Sequence, residues 1–332
     1  MKGIFVRSAG AVLLVLMAAT QITPTRASGS DSGSLLVLNK ADSTLAIIDP
    51  ATFKVLARLP TGEAPHELTT SGDGRFAFVS NYGTAERPGN TISVIEIASR
   101  KEVKRVDLGA LMRPHGITEF DGKIYFTIEG SRAVARYDPA AGRIDWTMGT
   151  GQGGTHMLVV ATKSRKIYTA NRESNTVSSI EPAAGGSGKM TQIAVGKAPE
   201  GIGISPDERE VWVAHRTDGG LSIIDTSSDS VKETLSVGRA PIRVKFTPDG
   251  RRVLVSNAQG GDVAIFDAST RKEVKRISIG GTPAGILIQP DGRRAFVASS
   301  QANKVLVINL EDLSVAGIIE PGKDPDGLAW GK

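Results

Sequence analysis

The chain has 332 residues with 38 glycines, 16 prolines and no cysteine, and 40% of it is hydrophobic. That apolar share excludes a disordered chain, and the missing cysteines exclude thiolate catalysis, thiolate metal sites and a disulfide scaffold. The formal charge of +5 comes without any basic run interleaved with aromatics, so nucleic acid is not an expected partner.

In chain order, the opening MKGIFVRSAGAVLLVLMAATQITPTRAS has basic residues at Lys2 and Arg7, an apolar run from Ala9 to Ala19, and small residues around Ala27. This is the pattern of a secretory signal, with cleavage expected after Ala27. The apolar run falls short of the ~20 residues that cross a bilayer, so no membrane span is expected. The expected organisation is a signal peptide over 1–27, a short linker over 28–34 and a single domain over 35–332, exported to the periplasm or secreted as a monomer. Lys2, Arg7 and Arg26 leave with the signal, so the formal charge of the mature chain is +2.

Beyond Leu35 the sequence repeats. One strand type ends in Asn or an equivalent: LLVLN at Asn39, GRFAFVSN at Asn81, KIYFTIE at Glu129, RKIYTAN at Asn171, REVWVAH at His215, RRVLVSN at Asn257 and RRAFVAS at Ser299. A polar loop follows each, then a second strand rich in β-branched residues, such as TLAIID to Asp49 or DVAIFD to Asp267. A third strand comes next, then a Gly-containing loop and a segment of Pro-x-Gly-Ile type. That segment opens a fourth strand, which often ends in Pro-Asp-Gly-Arg, as at Pro248–Arg251. Seven units of four strands at a period of about 40 residues predict an all-β, seven-bladed β-propeller with four antiparallel strands per blade. The first unit lacks its Pro-x-Gly strand, and the chain ends in PDGLAWG at Pro325–Gly331, which supplies it. The C-terminal strand is therefore expected to join the N-terminal blade and close the ring.

The pattern Pro-x-Gly-Ile…Ser-Pro-Asp-Gly-Arg…Val-x-Asn…Thr-Val-Ser-Val-Ile-Asp resembles the YVTN-type β-propeller repeat family of exported prokaryotic proteins. The resemblance runs from about Leu35 to the C-terminus and implies the fold. This architecture hosts enzymes, electron-transfer subunits, surface proteins and scaffolds, so function has to be read from a site.

The chain has four histidines, and three share one slot of the repeat. APHEL carries His66, RPHGI His115, GTHML His156, APEGI Glu200, APIRV Ile242, TPAGI Ala284 and DPDGL Asp326. A lone histidine at a strand start is ordinarily a hydrogen-bonded surface residue; three of four in one slot point to a ring. His66, His115, His156, Glu200 and Asp326 come from consecutive blades at the mouth of the central channel. Imidazoles and carboxylates suit a divalent zinc, manganese or iron ion, with Ile242 and Ala284 leaving a coordination position open.

His215 falls in a different slot, and His215 and Glu67 are the expected acid–base residues. Arg172, Arg216 and Arg243 are expected to anchor a small anionic molecule, within a cationic rim that also takes in Lys40, Tyr82 and Arg132. The loop Tyr82–Asn90 is the longest of its kind and reads as a lid or partner-binding loop. The run Gly149–Gly154 matches G-x-G-x-x-G, but a strand follows it, not a helix, so no dinucleotide site is expected. Three functions follow from these residues: a metal-dependent hydrolase, lyase or oxidoreductase; a periplasmic metal-binding or delivery protein; and a non-catalytic scaffold that binds another periplasmic protein.

Overall fold

Short β-branched runs punctuated by Gly, Pro and Asp give strands and tight turns, and little else. A computed structural model describes Met1, Gly3, residues 33–183 and residues 188–332. The secretory signal read over 1–27 lies almost wholly outside the described residues. Among those described there are 28 strands, and the 3-10 turn Glu129–Ser131 is the one helical element. No described helix is long and apolar enough to cross a membrane.

The strands form seven antiparallel sheets of four, ordered from the channel outward, so the chain is a seven-bladed β-propeller. We number the blades in chain order. Their innermost strands are Pro325–Gly331 (blade 1), Pro65–Thr70 (2), Pro114–Phe120 (3), Thr155–Ala161 (4), Pro199–Ile204 (5), Pro241–Phe246 (6) and Pro283–Ile288 (7). Blade 1 is made from both ends: Ser34 pairs with Gly331 and Leu35 with Trp330. The C-terminal strand thus closes the ring as predicted.

Each sheet buries both faces against its neighbours. The second strand of every blade is accordingly buried nearly throughout, as in Leu35–Asn39 and Phe126–Ile128, where alternation would mark a half-exposed strand. Apolar clusters fill the seams: Phe78 and Ile92 meet Ile117 and Phe126 between blades 2 and 3, and Leu35 and Val37 meet Phe296 and Val305 at the closing seam. Outer strands such as Val55–Pro60 alternate in exposure because only one side packs.

One irregularity recurs and positions the site. In every blade the pairing between the innermost and second strands slips just after the opening residue of the innermost strand. Pro65 pairs with Asn81 and Glu67 with Ser80, leaving His66 unpaired. A bulge of this kind re-aims a side chain that the regular pleat would point into a sheet. Buried hydroxyls hold the bulge from the preceding blade: Ser80 donates to the His115 carbonyl at 2.7 Å, Thr127 to that of His156 at 2.6 Å and Ser256 to that of Ala284 at 2.9 Å.

Innermost strands approach so closely that four blades have glycine directly after the bulged residue. A Cβ on Gly285 would lie 2.1 Å from the Asp326 carbonyl oxygen, and one on Gly201 would lie 2.6 Å from Cα of Arg243.

Candidate functional site at the channel mouth

The seven bulged positions carry His66, His115, His156, Glu200, Ile242, Ala284 and Asp326, as the repeat alignment requires. A second tier lies above them. In each blade the residue that follows the partner of the innermost strand's first residue donates its N–H to the carbonyl just before the innermost strand. Lys40 donates to Asp324, Tyr82 to Ala64, Glu129 to Arg113, Arg172 to Gly154, Arg216 to Ala198, Ala258 to Ala240 and Ser300 to Thr282. The left-handed backbone at Ala64, Arg113, Ala198, Ala240 and Asp324 makes this turn. Rim and bulge residues are thereby tied together blade by blade.

The rim differs from its sequence reading in blade 3. Pro114 pairs with Ile128, so Ile128 is the equivalent of Asn81, and Glu129 stands in the rim beside Tyr82 and Arg172. Arg132, expected in the rim, is an exposed residue that caps the 3-10 turn.

The three histidines stack as a file. The ring centroids of His66 and His115 are 4.9 Å apart and those of His115 and His156 are 3.8 Å apart, with Tyr82 against His66 at 4.7 Å. Carboxylates engage both ends. His66 Nδ1 lies 3.3 Å from Asp326 and His156 Nδ1 lies 2.5 Å from Glu129, which also accepts a hydrogen bond from the Tyr82 hydroxyl. His156 Nε2 is 3.8 Å from Glu200. His115 sits between them, buried, and its Nδ1 has no partner among the described residues. Desolvation first, and then the neighbouring His156, His66 and Arg243, hold the His115 pKa well below the usual histidine value, so its ring stays neutral. Burial would raise the pKa of Glu129, but hydrogen bonds from His156 and Tyr82 and the charge of His156 outweigh it and bring the carboxyl down to about 2.

Arg243 crosses the channel. From blade 6 its guanidinium donates to Glu67 of blade 2, lies 3.5 Å from Asp326 of blade 1, and donates to the Ile242 carbonyl at 2.9 Å. Lys40 is 3.5 Å from the other oxygen of Asp326. Burial opposes the ionisation of Asp326, yet Lys40, His66 and Arg243 together press its pKa below the carboxylate range. Arg216 reaches the buried Glu200 at 3.0 Å and Arg172 approaches it at 4.0 Å. Blades 6 and 7 present only Ile242, Ala258, Ala284 and Ser300 at the two tiers, so the mouth has a polar sector of five blades and a small, mainly apolar sector of two.

The acid–base residues read from sequence are placed differently. Glu67 is committed to Arg243. His215 is buried in blade 5 and accepts a hydrogen bond from the Gly196 N–H at 3.3 Å, with Asp218 3.3 Å from its Nδ1. Asn81 does the same in blade 2, accepting from Gly62 N–H at 3.0 Å. His215 therefore fastens an inter-blade loop and has no described contact with the file. The loop after Tyr82 is an extension of a hairpin, with Gly83 opposite Pro88, and Arg113 donates to its Thr84 carbonyl at 3.1 Å. The five expected ligands do line the mouth, but among the described residues no group of three His, Asp or Glu stands ready to hold a metal ion.

Residues 191–320 match the model of the Cytochrome D1 heme domain family. That stretch includes Glu200, Arg216 and Arg243 but none of the file histidines. Among solved structures, the chain is similar to a functionally unknown protein from Desulfotomaculum acetoxidans, at 14% identity over 90% of this chain and 98% of that one, with a TM-score of 0.77. It is also similar to the hydrazine synthase of Kuenenia stuttgartiensis, at 17% identity over 80% of this chain and 89% of that one, with a TM-score of 0.69. A third is the dihydro-heme d1 dehydrogenase NirN in complex with DHE, at 14% identity over 89% of this chain and 74% of that one, with a TM-score of 0.64. At these identities the likeness is one of fold. No curated protein matches the chain.

Proposed function

We propose that the chain is an exported propeller that binds a small carboxylate-bearing ligand at the channel mouth, above the histidine file. One observation carries this reading: Arg172 and Arg216 share the single carboxylate of Glu200, and their side chains are still 32% and 46% exposed. Two guanidinium forks with one acid between them keep free donors, and carboxylate or phosphate oxygens are what such forks bind best. The small sector of Ile242, Ala258 and Ala284 offers an apolar floor for the rest of the ligand. Export, a single domain over 35–332, a monomeric state and the YVTN-type repeat assignment belong to the same proposal.

The resident divalent ion expected from the sequence has less support, because the imidazoles stack in a file and do not converge on one point. The acid–base role moves from His215 and Glu67 to the hydrogen-bonded string Tyr82–Glu129–His156.

A tetrapyrrole is a particular ligand of this class, and the residues fit one. A histidine that gives Nδ1 to a carboxylate is oriented to ligate iron through Nε2; His66 is so placed by Asp326, and its side chain is 22% exposed. Arg172, Arg216 and Lys40 would take the carboxylates, and a bound haem-type iron would supply redox chemistry or binding of a small gas.

Calorimetric titration with a dicarboxylate and with inorganic phosphate tests the main reading. Arg172→Ala/Arg216→Ala is expected to weaken binding at least about tenfold; unchanged affinity, or no binding of either probe by the unsubstituted protein, overturns it. Haem titration followed in the visible spectrum tests the narrower one. A spectral shift lost in His66→Ala, with dicarboxylate binding retained, supports a tetrapyrrole, and no shift removes it.

A further inference from the structure

The position after the bulge is glycine in blades 1, 3, 5 and 7, where the next blade leaves no room for a side chain. In blades 2 and 6 it is Glu67 and Arg243, and these two meet across the channel. Both side chains are well buried, Arg243 at 6% exposure and Glu67 at 13%.

The carboxylates at this level are met by cations before any ligand arrives. Two carboxylates, Glu67 and Asp326, face two fixed cations, Arg243 and Lys40, with His66 alongside Asp326. The guanidinium nitrogen of Arg243 that meets Glu67 is also 3.5 Å from Asp326, and His66 stands 3.3 Å from the other oxygen of Asp326. Two carboxylates and an imidazole are the donor types that suit zinc or manganese once the guanidinium between them is removed. Arg243 has space to cross because the bulged residues of blades 6 and 7 are Ile242 and Ala284, whose side chains carry no acceptor and leave the gap unfilled; only the Ile242 backbone carbonyl takes one of its hydrogen bonds.

We propose that Arg243 is a specificity-determining residue: it takes the place of a divalent cation between Glu67 and Asp326, and so keeps the mouth for anions. The inference builds on the anion-binding reading, but its test is separate, since metal uptake is measured with no anionic ligand present.

The experiment is equilibrium dialysis of the full mature chain against zinc and, separately, manganese. The unsubstituted protein is expected to take up neither at the mouth. Arg243→Gln, shown to be folded by circular dichroism, is expected to bind one zinc at least about tenfold more tightly than the unsubstituted protein, and Arg243→Gln/His66→Ala is expected to lose that gain. Arg243→Lys keeps a cation in place and is expected to fold and stay zinc-free. One zinc bound by the unsubstituted protein and lost in His66→Ala would overturn the proposal. So would a folded Arg243→Gln with no gain. Zinc uptake by Arg243→Lys overturns it too, even if Arg243→Gln does not fold.

Discussion

Mild acidification should destabilise this protein through its buried histidines, and His115 isolates the effect. His115 is held neutral in the fold, with its pKa well below the ordinary 6.5; His215 shifts the same way, because desolvation outweighs the attraction of Asp218. A group whose pKa is depressed by folding binds fewer protons folded than unfolded at any pH between the two values. Stability therefore rises with pH in that window: it is fully present above 6.5 and is lost as pH falls below it. Each such proton is worth about 1.4 kcal/mol per pH unit once the unfolded histidine is protonated. Between pH 6.5 and about pH 5 a histidine that stays neutral in the fold costs about 1.6 kcal/mol, the limit that His115 approaches, and His215 adds a loss of the same sign.

The lower limit of that window matters. Glu129, brought down from 4.5 to about 2, adds its own acid sensitivity only below pH 4.5, so the two effects separate on the pH axis. The assay is urea unfolding at half-unit steps of pH. His115→Phe preserves a ring between His66 and His156 but removes the titrating nitrogen. It should flatten the slope by one proton and leave the contribution of His215. An unchanged slope in His115→Phe would mean that His115 is charged in the fold, and the electrostatic account of the file would be wrong.

Two further outcomes follow from the packing. Gly285→Ala drives a methyl into the Asp326 carbonyl of the next blade and should cost about 3 kcal/mol, whereas Gly149→Ala, which meets nothing within 4 Å, should change stability by less than about 0.5 kcal/mol in the same denaturation assay. His215→Asn replaces a loop fastener with the residue that bonds the inter-blade loop in blades 1, 2 and 6. It should alter neither the unfolding midpoint by more than about 1 kcal/mol equivalent nor the affinity for a dicarboxylate, while His215→Ala should lose about 1–2 kcal/mol.

The fold was legible because its signals are local and repeated. Turn residues, β-branched runs and the seven aligned starts of the innermost strands, four of them Pro-x-Gly, each specify a few residues, and the missing first and extra last strand announced the closure. The bulged ring was legible for the same reason: the repeat fixes backbone position. Glu129 slipped by one place because blade 3 turns its first hairpin in two residues, Asp121 and Gly122, both left-handed, so its second strand starts earlier than a count from the other blades implies. The stacking of the histidines was not legible, since slot equivalence says nothing of rotamers. The sequence places Arg243 among the anchors of the rim. Its span to Glu67 joins residues 176 apart in sequence, and no periodicity reports a contact across the axis. A signal was nonetheless present. A charged residue stood in a position that is glycine in four blades, and it did so twice with opposite signs.

That pairing bears on how such a mouth tolerates so much buried charge. A buried ion pair returns little net stability, because desolvation of both partners offsets their attraction, but removing one partner is costly. Here nearly every carboxylate of the mouth has two donors: Asp326 has Lys40 and Arg243, Glu200 has Arg172 and Arg216, and Glu129 has His156 and Tyr82. No single substitution frees any of these three acids entirely, whereas Glu67 depends on Arg243, so most of the ring can change one residue at a time without collapse. The bulge supplies the other half of that freedom, because it presents Ile242 and Ala284 on the same backbone that presents His66 and Glu200. What the mouth binds is therefore set by the choice of seven side chains at the bulge and seven at the rim, on a frame whose own stability lies in the seams between blades.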